Sequence, residues 1–200
     1  MRFRKREIYY YDTVAGFEAE KFAGRFLMML LDEMRESKKT EVVFLCIGTD
    51  RSTGDSLGPL IGHKLKEQGI RNARVFGTLE SPVHAMNLEL CMAGLQEKFP
   101  HALVVAVDAS VGNVEHVGFV TLGRGPLKPG SGVKKELRAV GDIFITGIVG
   151  ASRNGDPLML QSIRLSVVMR LADCISRSIC LGMNLIGRRV ENFSGEPSPF

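Results

Sequence analysis

The chain alternates between short, continuous apolar runs and longer segments in which apolar residues recur at helical spacing. Residues 42–47, 102–107 and 143–149 are apolar runs of strand length, each followed by turn-forming residues. Runs of this kind are typical of central strands that are covered on both faces. Shorter strands are predicted at residues 74–79 and 116–122.

Apolar residues spaced three or four positions apart predict helices over residues 16–36, 57–68, 83–99 and 158–183. Strands that alternate with helices favour an α/β fold with a mostly parallel sheet. We therefore expect three layers, with a twisted sheet of about five strands and helices on both faces. We assign residues 1–15 to an N-terminal extension, 16–190 to a single α/β domain and 191–200 to a loosely ordered tail.

Composition adds little beyond the class of protein. The 200 residues carry a formal charge of +4, and 44% of them are hydrophobic, as expected for one globular domain. The basic run at residues 2–6 has no aromatic-rich basic face beside it, so we predict no nucleic-acid partner. The apolar stretch 26–31 is too short to span a bilayer, and residues 1–10 do not resemble a signal peptide. We expect a soluble, cytoplasmic protein without a membrane partner.

The cysteines show neither a disulfide pattern nor a metal-binding pattern. Cys46, Cys91, Cys174 and Cys180 form no pair separated by two residues, and no histidine stands at zinc-ligand spacing beside them. Buried, reduced thiols in a cytosolic protein explain them best. We predict no cofactor and no metal.

Two aspartates stand where a parallel sheet places its chemistry, which is outside the carboxyl ends of the strands. Asp55 lies in the glycine-rich loop 48–59 after one apolar run, and Asp108 directly follows another. The loop is not a phosphate-binding loop, because Asp55 stands where that motif needs a lysine. Asp55 or Ser56 as a helix N-cap is an open alternative, as is Asp108 capping a turn or pairing with an arginine.

The two apolar runs that precede these aspartates are expected to be neighbouring strands. Two carboxylates held close together cannot both ionise cheaply, so one of them keeps a proton near neutral pH. The pair then supplies an acid, which hydrogen-bonds a substrate carbonyl, and a base, which takes a proton from water. The same pair would equally suit a divalent cation.

A second loop, at residues 126–135, contains Gly130, Ser131 and Gly132. Their backbone N–H groups are candidates for binding a peptide carbonyl or an anion. Ordinary turn formation explains the same three residues, so both interpretations stay open.

The segments 48–59, 104–109, 129–133 and 145–149 resemble motifs of the germination protease of spore-forming bacteria. Over nearly its whole length the chain resembles small sporulation proteins of the YyaC type. Both are similar in fold to hydrogenase maturation endopeptidases. The resemblance implies that Asp55 and Asp108 are a catalytic pair. It also implies a peptide or protein substrate, with small acid-soluble spore proteins as candidates, and a location in the sporulating cell or forespore.

The sequence also departs from these families. It has no room for the long propeptide of the germination protease, and Lys128 stands where a histidine precedes the Pro-Gly-Ser-Gly segment. Nickel binding is therefore not expected, and we interpret the four histidines (His63, His84, His101 and His116) as structural or exposed. Two functions remain: an aspartate-dependent endopeptidase, or a non-enzymatic sporulation protein that uses the peptidase fold for binding or regulation. Homo-oligomerisation is left open.

Overall fold

A mixed sheet of six strands forms the centre of the protein, in the order β1-β5-β6-β4-β2-β3. The computed structural model describes residues 7–130, 137–151 and 157–193. The strands are β1 (Ile8–Asp12), β2 (Glu41–Cys46), β3 (Arg74–Phe76), β4 (Ala102–Gly112), β5 (Phe119–Arg124) and β6 (Ile143–Ala151). Strands β3, β2, β4 and β6 are parallel to one another, whereas β5 pairs antiparallel with β6 and β1 pairs antiparallel with β5.

Four helices cover the two faces of this sheet: α1 (Ala19–Ser37), α2 (Leu57–Glu67), α3 (Leu88–Lys98) and α4 (Leu165–Phe193). Helices α1, α2 and α4 share one apolar core with alternate residues of the strands, and α3 shares a second core on the opposite face. In β2, for example, Phe44 belongs to the first core and Leu45 to the second, because successive side chains of a strand point to opposite faces. The predicted α/β fold, mostly parallel with helices on both faces, is confirmed.

Helix α4 is the longest element, with 29 residues. No helix in the described part of the chain combines the length and the apolar character needed to cross a membrane.

Three elements differ from the prediction: one strand was not predicted, one strand is longer than expected, and one helix begins later. Strand β1 was not predicted and lies within the residues assigned to the N-terminal extension. Strand β4 does not end at Asp108 but continues to Gly112, with a register shift between Ser110 and Val111. Helix α3 begins at Leu88 instead of residue 83, so the segment before it is a turn.

Candidate functional site

The glycine-rich loop after β2 folds back onto the end of that strand. Thr49 N–H donates to the backbone carbonyl of Asp55 at 3.1 Å, which closes the loop. Gly48 has a φ of +143°, and a Cβ at this position would lie 2.0 Å from the same carbonyl oxygen. At Gly58, in the first turn of α2, a Cβ would lie 2.0 Å from the carbonyl oxygen of Ile47. The glycines are needed because the loop and α2 approach the strand end so closely, and this approach fixes the backbone of Asp55.

The side chain of Asp55 is free for chemistry. Asp55 lies in a short 3₁₀ turn, Gly54–Ser56, directly before α2. Ser56 does not cap the helix with its side chain, and its hydroxyl donates to the carbonyl of Thr53 at 2.6 Å. Neither the 3₁₀ turn nor α2 has a capping hydrogen bond from the side chain of its N-cap residue, Thr53 or Ser56. The N-cap alternative is therefore not supported, and the half-buried carboxylate is available for another role.

Asp108 lies inside strand β4, which pairs on one side with β2 and on the other with β6. Its side chain points to the same face as Ala106, which belongs to the core beneath α3. Only 5% of Asp108 is exposed, and its Oδ1 accepts the N–H of Ala109 at 2.8 Å. Among the described residues, no arginine or lysine forms an ion pair with either aspartate. Asp108 is thus a buried carboxyl group that forms no ion pair within the described part of the chain.

Asp55 and Asp108 line the same pocket, which has a volume of about 600 Å³. The predicted neighbourhood of β2 and β4 is confirmed, with Cys46 opposite Val107 in the parallel register. Gly130 also lines this pocket, whereas Ser131 and Gly132 lie outside the described residues. The remaining lining includes Thr49, Arg51, Leu79, Met86 and Leu137. The pocket therefore combines the carboxyl groups of Asp55 and Asp108 with apolar residues, and Asp50 also lines it.

The electrostatics of the pocket separate the two carboxyl groups. Burial raises the pKa of Asp108 well above its usual range, and the negative charge of Asp55 raises it further, against the opposing hydrogen bond from Ala109 N–H. Burial also raises the pKa of Asp55, but His84 lowers it. Because Asp108 is the more deeply buried, it is the group that keeps its proton when Asp55 ionises. Of the two carboxyl groups, Asp108 is thus the weaker acid.

Two further residues of the pocket were not identified from the sequence. His84 was assigned to a helix and interpreted as structural or exposed, yet it lies in the turn before α3 and lines the pocket. The hydroxyl of Ser52 is buried and, among the described residues, has no hydrogen-bond partner. Pro82 before His84 and Asn87 after it are turn-forming residues, and this signal, which could have identified the turn, was not used.

Lys128 is exposed and lines a different cavity, together with Pro126 and Asp142. Within the described ranges, no group of three or more His, Cys, Asp or Glu side chains is arranged to hold a metal ion. Lys128 is therefore not part of the pocket that contains the two aspartates.

The fold and the pocket define an α/β domain with a pair of interacting carboxyl groups beside the ends of its parallel strands. The chain belongs to the family described as "Protein of unknown function (DUF1256)", which matches residues 14–178 and so includes both aspartates. It is 44% identical over 159 residues to the "Uncharacterized protein YyaC" of Bacillus subtilis (strain 168), a match that covers 80% of this chain and 78% of that protein.

Among solved structures, the chain is similar to the [NiFe] hydrogenase maturation protease HycI from Thermococcus kodakarensis KOD1. The TM-score is 0.42 at 18% sequence identity, and the match covers 74% of this chain and 98% of that chain. Similarity at this level carries no inference about activity or substrate.

Proposed function

We propose that the protein is an endopeptidase that hydrolyses peptide bonds with Asp55 and Asp108 as its acid–base pair. The observation that carries this proposal is a buried carboxyl group, Asp108, in the same pocket as a second carboxyl whose charge raises its pKa. A carboxyl group kept neutral by its surroundings is an acid at a pH where its neighbour is a base. No nucleophilic side chain is then required.

The hydrogen bond to Asp108 supports a different role for each of its two oxygens. Oδ1 accepts the Ala109 N–H, so the proton resides on Oδ2. Oδ2–H donates to the oxygen of the substrate carbonyl, while ionised Asp55 takes a proton from a water molecule. The water oxygen forms a bond to the carbonyl carbon, and Asp108 transfers its proton to the carbonyl oxygen. The C–N bond then breaks as Asp55 gives its proton to the leaving nitrogen and Asp108 recovers its own from the hydroxyl group.

The walls of the pocket suit an extended peptide. Leu79, Met86 and Leu137 supply apolar surface beside the two carboxyl groups. Gly130, with a φ of +90°, adds a backbone conformation that favours glycine at the rim. We assign Gly130 to substrate binding, and we extend this assignment to Ser131 and Gly132 from the sequence motif alone.

The biological setting follows from the resemblance of the motifs to the germination protease. On that basis we propose a role in sporulation, in the cytoplasm of the sporulating cell or forespore, with small acid-soluble spore proteins as the first substrates to test. The departures from the germination protease pattern, namely Lys128 in place of a histidine and the lack of room for a long propeptide, motivate a second candidate. In this alternative the pocket binds a protein segment without cleaving it.

The decisive experiment compares four proteins: the wild type, Asp55→Asn, Asp108→Asn and the control Asp12→Asn. The carboxylate of Asp12 accepts the N–H of Val14 at 2.7 Å in an exposed turn after β1, away from the pocket. Each protein is incubated with small acid-soluble spore proteins and with casein, an unstructured polypeptide. Fragments are identified by mass spectrometry, and circular dichroism monitors folding.

We expect the two pocket variants to lose activity by a factor on the order of 10² to 10⁴, which is the usual contribution of a general acid or base, with an unchanged dichroism spectrum. The Asp12→Asn control should retain wild-type activity. Full activity in Asp55→Asn and Asp108→Asn would refute the proposal, and binding without cleavage by the wild type would support the second candidate. A parallel series with EDTA shows whether the carboxylates act through a divalent cation.

A further inference from the structure

We infer that His84 is a third functional residue of this pocket, where its Nε2–H group donates a hydrogen bond to a backbone carbonyl oxygen of the bound peptide. This role makes His84 a substrate-binding residue, as distinct from a base or a metal ligand. The inference deepens the proposed function and rests on it for the identity of the ligand as a peptide.

The backbone of His84 is fixed by the turn that contains it. Asn87 holds this turn from both sides: its Oδ1 accepts the N–H of His84 at 2.8 Å, and its Nδ2 donates to the carbonyl of Pro82 at 3.0 Å. The backbone N–H groups of Asn87 and Leu88 donate to the carbonyl of His84 at 3.0 and 2.9 Å. Because these hydrogen bonds constrain the backbone of His84, its imidazole ring has a defined position.

The same turn is joined to the end of β2, from which the loop that contains Asp55 begins. Val83 forms an isolated parallel bridge with Ile47, and the N–H of Gly48 donates to the carbonyl of Val83 at 2.8 Å. The turn and the loop of Asp55 therefore share one anchor at the end of β2. His84 and Asp55 accordingly line the same pocket.

One ring nitrogen of His84 is already occupied. The N–H of Met86 donates to Nδ1 at 3.2 Å, which requires an unshared electron pair on Nδ1. The neutral ring then carries its proton on Nε2, so that Nε2 is a donor. Metal binding through Nε2 would move the proton to Nδ1 and set two N–H groups against each other. The turn thus selects the donor form of the ring.

Nε2 has no hydrogen-bond partner among the described residues, and no His84 nitrogen lies within 4.0 Å of the Asp55 carboxylate, whereas His63 pairs with Glu67 and Glu80. Because His84 and Asp55 line the same pocket without contacting each other, a ligand atom or a water molecule in the pocket can lie between them. In the proposed peptidase, the acceptor that a peptide supplies at this point is a backbone carbonyl oxygen.

The first test of this inference does not depend on catalysis. Nitrogen-15 NMR of the wild-type protein at neutral pH should show the Nε2–H tautomer of His84. The opposite tautomer, with the proton on Nδ1, would overturn the inference whatever the activity of the protein.

The second test measures casein binding in the Asp108→Asn background, which prevents cleavage. His84→Ala should weaken binding by about tenfold, the value of one lost hydrogen bond, and His84→Gln should restore most of it because an amide N–H lies near the Nε2 position. His63→Ala is the matched control and should bind like its parent. Equal binding by His84→Ala and its parent would overturn the inference, as would a His84→Gln variant as weak as His84→Ala.

The two proposals fail in different ways. A wild type that binds casein through His84 but never cleaves it refutes the peptidase and leaves His84 as a binding residue. Cleavage that depends on Asp55 and Asp108 but is unaffected in His84→Ala refutes only the role of His84. A wild type that binds neither casein nor the spore proteins refutes both.

Discussion

Replacing Asp108 by Asn should make the protein more stable above about pH 4, by an amount that grows with pH. Burial and the charge of Asp55 raise the pKa of Asp108 well above its usual range in the native state. In the unfolded chain the same carboxyl group ionises near its ordinary value of about 3.9. Between these two pKa values the unfolded state releases a proton that the native state keeps, so the stability of the wild type falls as the pH rises.

The size of the effect follows from the same linkage. Each pH unit in this window lowers the free energy of unfolding by about 1.4 kcal/mol. If the native carboxyl keeps its proton throughout, the loss between about pH 4 and pH 7 reaches roughly 4 kcal/mol, a large share of the 5–15 kcal/mol typical of a domain. Asn has the shape of the protonated carboxyl and retains an Oδ1 that can accept the Ala109 N–H, 2.8 Å away in the wild type. It does not titrate, so the variant should lack this pH dependence.

The assay is urea unfolding of the wild type and Asp108→Asn at several pH values between 4 and 8, at constant ionic strength. Asp55→Asn removes the negative charge that raises the pKa of Asp108, so its loss of stability should end at a lower pH than in the wild type. Asp142→Asn is the control for replacing a carboxylate that is used in the fold. This carboxylate accepts Lys39 Nζ at 2.6 Å and Val104 N–H at 2.8 Å, so its replacement should destabilise the protein.

A specific result would refute the reasoning. If Asp108→Asn is no more stable than the wild type at pH 7, or shows the same decline with pH, then Asp108 is ionised in the native protein. The assignment of Asp108 as the acid of the pair would then be wrong.

Two further predictions concern the loop that carries Asp55. Gly58→Ala should lower the free energy of unfolding by about 3 kcal/mol, because its Cβ would lie 2.0 Å from the carbonyl oxygen of Ile47; urea unfolding with less than 1 kcal/mol of change would show that α2 can move away. Ser52→Ala removes a buried hydroxyl without a partner among the described residues, and its melting temperature should equal or exceed that of the wild type. Ser56→Ala loses the hydrogen bond to the Thr53 carbonyl and should be about 1 kcal/mol less stable than the wild type. If Ser52→Ala were instead less stable than Ser56→Ala, the hydrogen bonding described for this loop would be wrong.

Most of the sheet could be predicted because its central strands are buried on both faces. Strands β2, β4 and β6 are continuous apolar runs, and their loops follow from the glycine and proline residues around them. The rule that parallel strands present their carboxyl ends at one edge then placed Asp55 and Asp108 in a common pocket. No contact between distant residues had to be known for this step.

Features that depend on distant contacts were not predicted. Strand β1 exists because its backbone pairs with β5, more than a hundred residues away, and only Tyr9 and Tyr11 pack against the first core. The turn before α3 was assigned to the helix because the apolar pattern runs on through it, whereas the side chain of Asn87 holds it in another conformation. His84 was missed for this reason, since its position in the pocket depends on that turn.

The length of β4 explains why the two aspartates differ. A strand that ended at Asp108 would leave this carboxyl at the rim of the sheet, where water could solvate its charge. In the structure β4 continues to Gly112, and its pairing with β6 extends from Val105 to Gly112. The residues before and after Asp108 in β4 are therefore paired with β6. Asp55 comes instead from a 3₁₀ turn at the start of a helix, where it is less deeply buried. Burial raises the pKa of Asp55, but His84 opposes that rise, whereas the pKa of Asp108 is raised further by the charge of Asp55. The order of the two pKa values, and with it the choice of acid and base, therefore follows from the type of element that carries each carboxyl group.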